Sequence, residues 1–400
     1  MRFSDIAGNN GLFMDGDWIE TKDQDPNGKV RLVQLADIGP GIFRDKSNRY
    51  ITEQKATELH CTYLKKGDIL IARLGEPLCK ACALPYDGLY ITAVDVSILR
   101  IGAGSINPRY LLFLLNSPWF KDQAKEYESG TTRKRISRKN LDKIDLTFPS
   151  LEEQERVVAR IEELFSQLDA GVETLKKTKA QLAVYRQAVL KEAFDFVSEY
   201  GSVNIESLCQ NIVDCPHSTP KWAKDGYLCL RTTNFKRGKL DLSEKNYVTK
   251  ETFDIRNARL VPLPGDVLYS REGAILGIAC IIPEDTYVCL GQRMMLLRPS
   301  EKLNNRYLMH YLNSPAVTTF VASITGGSAS PHVNVGDIKA FMIPRPDIRV
   351  QEQIVMEIDS RISVCDSIEQ TVDAALQQAE AMRQSILKDA FEGGMIHGTI

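Results

Sequence analysis

The chain has 400 residues, too many for one ordinary domain, and its 43% hydrophobic and 26% charged residues describe a globular protein with real cores. A formal net charge of −2 argues against a generic nucleic-acid coat, and no apolar run reaches the roughly 18 residues of a membrane helix, so no membrane partner is expected. Met1-Arg2-Phe3-Ser4-Asp5 does not read as a signal peptide, and nine cysteines among apolar neighbours do not form a disulfide framework; the expected compartment is the cytoplasm.

Residues 1–148 contain short β-branched runs broken by glycine and proline, such as Gly67-Asp68-Ile69-Leu70-Ile71, which read as strands opening from a Gly-Asp turn. Tyr110, Leu111, Leu114 and Leu115 share one helical face that ends at Asn116-Ser117-Pro118. Within this stretch Cys79-Lys80-Ala81-Cys82 has metal-ligand spacing, but no second such pair exists, so no metal site is expected. Residues 149–198 form a different segment. Ser150-Leu151-Glu152-Glu153 is a capping-box pattern after Pro149. Ile161, Leu164, Leu168, Leu175, Leu182 and Val189 then recur in a coiled-coil rhythm, predicting one long helix over 151–196.

Residues 199–345 return to the mixed pattern, and residues 346–400 to the helical one. Pro346-Asp347 opens the second helix, Ile358, Cys365, Ile368, Val372, Met382 and Ile386 mark its seam, and Gly393-Gly394 supplies a stop. The second half in fact repeats the first at close to 197 positions. Val30-Arg31-Leu32-Val33 lines up with Tyr227-Leu228-Cys229-Leu230, Arg109-Tyr110-Leu111 with Arg306-Tyr307-Leu308, Leu115-Asn116-Ser117-Pro118 with Leu312-Asn313-Ser314-Pro315, and Gln154-Glu155 with Gln351-Glu352. The expected fold is therefore α+β: two pseudo-twofold-related α/β domains separated by an antiparallel coiled coil of two long helices. Helices of this length span roughly 65 Å and are not apolar enough to stand alone; the other packing open to them is each helix folded back on its own globule.

Catalytic signatures are missing: there is no Walker-type phosphate loop, nucleophile elbow, His-Glu-x-x-His or Asn-Pro-Pro-aromatic motif. Glu53-Gln54-Lys55 resembles the end of a nuclease carboxylate-lysine pair, but short motifs of this kind arise by chance and its repeat partner carries Lys250 in place of Glu53, so it is read as structural. The chain reads as a binder. Before the first long helix, Gly130-Thr131-Thr132-Arg133-Lys134-Arg135-Ile136-Ser137-Arg138 mixes flexible glycine, hydroxyls and positive charge. That composition suits DNA, because arginine offers bidentate donors to guanine while threonine and serine reach phosphate oxygens. The equivalent segment in the second half, with Ser328 and His332, lacks the charge; basic character lies instead in Arg231, Thr233, Asn234, Lys236 and Arg237. Arg271 completes the candidate DNA-binding set, and for every member the alternative is a solvated polar surface.

These residues resemble a known family, the specificity (S) subunits of type I restriction-modification systems, over essentially the whole chain. Asp15-Gly16-Asp17-Trp18-Ile19 is similar to the opening of a target recognition domain, and Asp214-Cys215-Pro216-His217-Ser218-Thr219-Pro220 to an Asp-Gly-x-His-x-Thr-Pro variant in which cysteine replaces glycine. Pro149-Ser150-Leu151-Glu152-Glu153-Gln154-Glu155 and its partner from Pro346 resemble the starts of the family's two conserved helices. Gln187-Ala188-Val189-Leu190-Lys191-Glu192-Ala193-Phe194 and Gln384-Ser385-Ile386-Leu387-Lys388-Asp389-Ala390-Phe391 resemble their ends. The resemblance implies a non-catalytic subunit of a restriction endonuclease and adenine-N6 DNA methyltransferase complex. It would read a bipartite, asymmetric target on double-stranded DNA, one half-site per domain. Its helices would act as spacer and dock two methyltransferase (M) subunits, with two restriction (R) subunits completing the enzyme. No cofactor then belongs to this chain; S-adenosylmethionine, ATP and magnesium belong to the partners. Outside the family, the alternatives are a free-standing DNA-binding regulator and a coiled-coil scaffold for proteins.

Overall fold

The computed structural model describes residues 1–102, 104–273, 275–326 and 331–392, so Ser328 and the Gly393-Gly394 stop lie outside the described residues. The chain divides into two compact units, one of residues 1–175 with 374–400 and the other of residues 176–373. The α+β class holds. Each unit combines an α/β globule with a segment from each of two long helices, Leu151–Phe196 and Ile348–Glu392.

In the first unit a four-stranded antiparallel sheet has the order Leu12–Asp15, Val96–Arg100, Ile69–Ala72, Ala81–Ala83. A smaller sheet places Val30–Val33 between Tyr50–Ile51 and, in parallel, Tyr90–Thr92. The second unit repeats both. Its main sheet runs Ala279–Ile281, Val267–Ser270, Met294–Pro299, Cys209–Asp214, and in its smaller sheet Tyr227–Leu230 pairs in parallel with Cys289–Leu290. The register repeats too: Ile69 faces Leu99, and Val267 faces Leu297.

The repeated motifs are buried polar struts. After each Gly-Asp turn a carboxylate takes two bonds from an arginine: Arg100 to Asp68 at 2.7 and 2.6 Å, and Arg298 to Asp266 at 2.8 and 2.6 Å. Asn116 closes a two-way bridge with the Ala81 backbone (3.2 and 2.9 Å), and Asn313 does the same with Ala279 (3.1 and 2.8 Å). Each long helix is fastened by a fully buried glutamine. Gln154 accepts from the Asn107 amide at 2.9 Å and donates to the carbonyls of Ser105 and Pro149 at 3.0 and 2.9 Å. Gln351 does this with Asn304 (2.9 Å), Lys302 (3.1 Å) and Pro346 (3.0 Å). A buried side-chain amide is tolerated only when so satisfied.

Within each unit the two helix segments run antiparallel. In the first unit Arg383 pairs with Asp169 and lies 4.7 Å from the Phe165 ring centre, while Leu387, Ala390 and Phe391 share a core with Val157, Val158 and Ile161. In the second, Lys179 reaches Asp373 (2.6 Å), Arg186 reaches Asp366 (2.6 Å), and Arg361 reaches Glu192 (3.0 Å). Ile161, Leu182, Val189, Ile358, Cys365 and Val372 are buried, and Leu164, Leu168, Leu175 and Ile386 are half-buried. Ile368 and Met382 do not belong to the seam: they are 41% and 46% exposed. The second row falls one position later on the helix, at Ile362, Glu369, Leu376 and Arg383, all half-buried. Charged residues fill half of that row, which hid it from a search for apolar spacing. Gly171 is exposed, with nothing near enough to meet an added side chain, so it makes no close helix contact.

Candidate nucleic-acid interface

The first unit builds its candidate surface on a tight loop. Ser129 and Arg135 exchange backbone hydrogen bonds at 2.8 and 2.9 Å, closing the loop over Gly130 to Lys134. Gly130 has φ +93°, and a Cβ there would sit 2.4 Å from the Arg133 carbonyl oxygen, so the turn requires glycine. The base is stitched to the end of the strand Ile69–Ala72: the Ile136 amide donates to the Arg73 carbonyl (2.9 Å) and the Gly75 amide to that of Lys134 (3.2 Å). Thr131, Thr132, Arg133, Lys134, Arg135 and Arg138 are all exposed.

They are not equally available. Lys134 is paired with Glu128, Arg135 lies 3.9 Å from Asp95, and Arg138 lies 3.6 Å from Asp15 and over the Phe13 ring. Among the described residues Arg133 has no such carboxylate. Beneath the loop Arg73 is 5% exposed, with Nε 3.2 Å from Asp15 and further donation to the carbonyls of Ile136 (3.2 Å) and Val94. Desolvation pushes the Arg73 pKa down and Asp15 pulls it back up. Trp18, in the opening motif, is 71% exposed.

In the second unit Arg231 is exposed and lies 5.7 Å from the ring centre of the half-exposed Trp222. Thr233, Lys236 and Arg237 are exposed, with Arg237 donating to the Asn313 carbonyl at 3.4 Å. His332 is exposed and bridges in backbone to Glu272. Two expected contacts are corrected. Asn234 is 3% exposed; it accepts from the Arg231 amide (2.8 Å) and donates to the carbonyls of Asp241 and Glu244 (2.9 Å each), so every polar atom is engaged inside the fold. Arg271 is 6% exposed and holds Asp214 through two bonds of 2.9 and 3.1 Å, so its guanidinium is a strut and not a surface cation.

Composition did not reveal four further residues. Asp15 and Asp214 hold the buried arginines, Arg256 donates to the carbonyls of Pro216, Ser218, Leu290 and Gly291, and Trp222 flanks Arg231. The available signal was the repeat, which matches Asp15 with Asp214 and Arg73 with Arg271. Elsewhere Cys79 and Cys82 are fully buried, and burial pushes each thiol up to about 12. Lys55 pairs with Glu58 at 2.7 Å on a surface helix. Among the described residues no group of three or more histidines, cysteines and carboxylates could hold a metal, and no helix is long and apolar enough to cross a membrane.

The family described as Type I restriction modification DNA specificity domain matches residues 11–183 and 202–378. The specificity subunit of the Escherichia coli type I restriction enzyme EcoBI is 27% identical over 322 residues, covering 74% of this chain and 67% of the relative. That of the Salmonella potsdam enzyme StySPI is 26% identical over 314 residues, covering 72% and 65%. The chain thus spans about two thirds of the length of these curated relatives. A solved chain, from work on complex assembly and conformational transition of the type I R-M system, superposes with a TM-score of 0.67 at 18% identity. It covers 98% of this chain and 97% of its own.

Proposed function

The chain belongs to the type I restriction-modification DNA specificity family, and from that membership we propose that it selects the DNA target of such an enzyme. Each unit reads one half of a bipartite, asymmetric sequence on double-stranded DNA. The helices set the distance between the halves and dock methyltransferase and restriction subunits, which carry S-adenosylmethionine, ATP and magnesium. One observation carries this reading. The two units keep the same polar struts, pair for pair, yet expose different basic side chains: a basic loop in the first, and an arginine beside tryptophan in the second. A shared frame with divergent surfaces is what reading two different half-sites requires.

The physical division of labour follows. Arg133 and its neighbours supply attraction to phosphate, which positions the domain without specifying sequence. Arg231 and Trp222 offer a planar guanidinium and an aromatic face, suited to base edges and sugars. A rigid helical spacer preorganises both contacts, so the second costs little further ordering entropy.

The test is the methylated motif of a host with and without this gene, in the presence of its methyltransferase partner. The reading requires a two-part motif that disappears with the gene. Inserting four residues after Leu182 lengthens that helix by about 6 Å. The gap between half-sites should then grow by about one or two base pairs, with the half-site bases unchanged. A motif that persists without the gene overturns the reading.

A further inference from the structure

The opening motif of each unit contains an aspartate that reaches across the sheet. Asp15 ends the strand Leu12–Asp15; it accepts from the Ser97 hydroxyl at 3.0 Å and lies 3.2 Å from the buried Arg73 Nε. Arg73 leaves the end of a different strand and passes the connection on: its Nη1 donates to the Ile136 carbonyl, and its backbone carbonyl accepts from the Ile136 amide. Ile136 follows directly on the loop that carries Arg133. One ion pair therefore joins two strands to the exit of the basic loop.

The second unit repeats this with different surroundings. Asp214 ends the strand Cys209–Asp214 and takes two bonds from Arg271. Arg271 Nη1 donates to the Val333 carbonyl at 3.3 Å, and the Val333 amide donates to the Arg271 carbonyl at 2.9 Å. Each carboxylate also lies beside a more exposed nitrogen-bearing side chain: Arg138 Nε is 3.6 Å from Asp15, and His217 Nε2 is 3.1 Å from Asp214. The arginine side chains are buried, at 5% and 7% exposure, while the carboxylates are 34% and 14% exposed. The arrangement fixes the geometry of the backbone that each arginine holds.

We propose that Asp15 and Asp214 are positioning residues for DNA specificity, each fixing the recognition surface of its own unit through a buried arginine that grips the backbone at Ile136 or Val333. The inference rests on the proposed reading of one half-site per unit. Neither aspartate need touch DNA. Its carboxylate orients a guanidinium, the guanidinium fixes a backbone carbonyl, and that carbonyl fixes where the neighbouring side chains stand. Base readout depends on this, because a small shift that breaks a bidentate hydrogen-bond pair to a base edge forfeits its discrimination.

The test uses the assembled complex with Asp15→Asn, Asp214→Asn and the conservative Asp15→Glu. Binding is measured to the cognate duplex and to duplexes changed by one base pair in either half-site. Discrimination per base pair in the wild type should be roughly 10- to 100-fold. Asp15→Asn should reduce it by about tenfold at one half-site and leave the other intact. Asp214→Asn should do the reverse, and Asp15→Glu should recover part of the loss by restoring the charge. A purely structural role would lower the fraction of active complex without altering the preference of the bound fraction. That outcome overturns the inference, as does equal loss at both half-sites. Absence of any two-part preference in the wild-type complex would instead remove the functional reading itself.

Discussion

The described cationic surfaces of the two units differ, although the two scaffolds repeat the same sheets and polar struts. In the first unit three cations stand within reach of carboxylates and a fourth, Arg133, does not; in the second the cationic character moves to Arg231 beside Trp222. Both units keep an Asp–Arg pair with a buried arginine, an asparagine bridge and a glutamine tether with nearly equal distances. The contrast separates two kinds of polar residue. The bridging asparagine and the tethering glutamine, satisfied inside the fold, recur in both units and are costly to change, while the cations facing solvent vary.

If the frame is shared, damage to it should be equal in the two units. Gln154→Ala and Gln351→Ala each orphan a buried amide and two carbonyls, and each should cost about 3 kcal/mol. The local reading is hydrogen exchange at the Asn107 and Asn304 amides, which should quicken by about 100-fold in the unit carrying the substitution. A large effect in one unit and none in the other would break the equivalence of the scaffolds.

The helix segments should be less alike. In the first unit the helix Leu151–Phe196 contributes Phe165, which packs on Phe113 (centroids 5.7 Å apart) and under Arg383. In the second unit the same helix contributes Lys179 and Arg186, and Arg186 reaches both Asp366 and Glu369, at 2.6 and 2.8 Å. Phe165→Ala should destabilise by about 2 kcal/mol regardless of salt. Arg186→Ala should cost about 1 kcal/mol at low salt and less in molar salt, since half-exposed ion pairs are screened. Denaturant melts of both variants at two salt concentrations make the comparison; equal salt dependence would show that the charged row adds nothing.

Much of this was legible in the residue pattern. The capping box at Ser150 places the helix start, and the Ser150 hydroxyl does accept from the Glu153 amide at 3.3 Å; the first helix spans Leu151–Phe196 as its spacing predicts. The Gly-Asp turns open their strands for a reason that only contacts show, the arginine some 32 positions later in each half. What spacing could not show is which polar residues turn inward. Arg271 and Asn234 have the composition of a DNA surface, but their partners lie at Asp214, Asp241 and Glu244, and burial is decided by the sheet that brings these together. Ile368 misled for the converse reason: an apolar residue one place off the seam reads as part of it when glutamate fills the true position.

The smallest expected effect sharpens the comparison at the surface itself. A cation already held by a carboxylate must give up that partner to meet a phosphate, so its net gain is small; a cation without one gains in full. Within the first loop Arg133 is therefore the residue to test, ahead of Lys134 and Arg135, which have Glu128 and Asp95 beside them. Arg133→Ala should weaken binding of the assembled complex by about 1 kcal/mol and reduce the magnitude of its salt slope by about one, with no change in preferred bases. Lys134→Ala should do less, because Lys134 must give up Glu128 before it can meet a phosphate. Arg231→Ala should differ in kind, changing base preference at the other half-site more than the salt slope, since its guanidinium is already oriented over Trp222. Titrations at several salt concentrations against cognate and single-change duplexes distinguish these outcomes. If Arg133 and Lys134 contribute alike, pairing does not govern availability. If Arg231 changes only the slope, both units use their cations for attraction alone, and readout must come from other side chains.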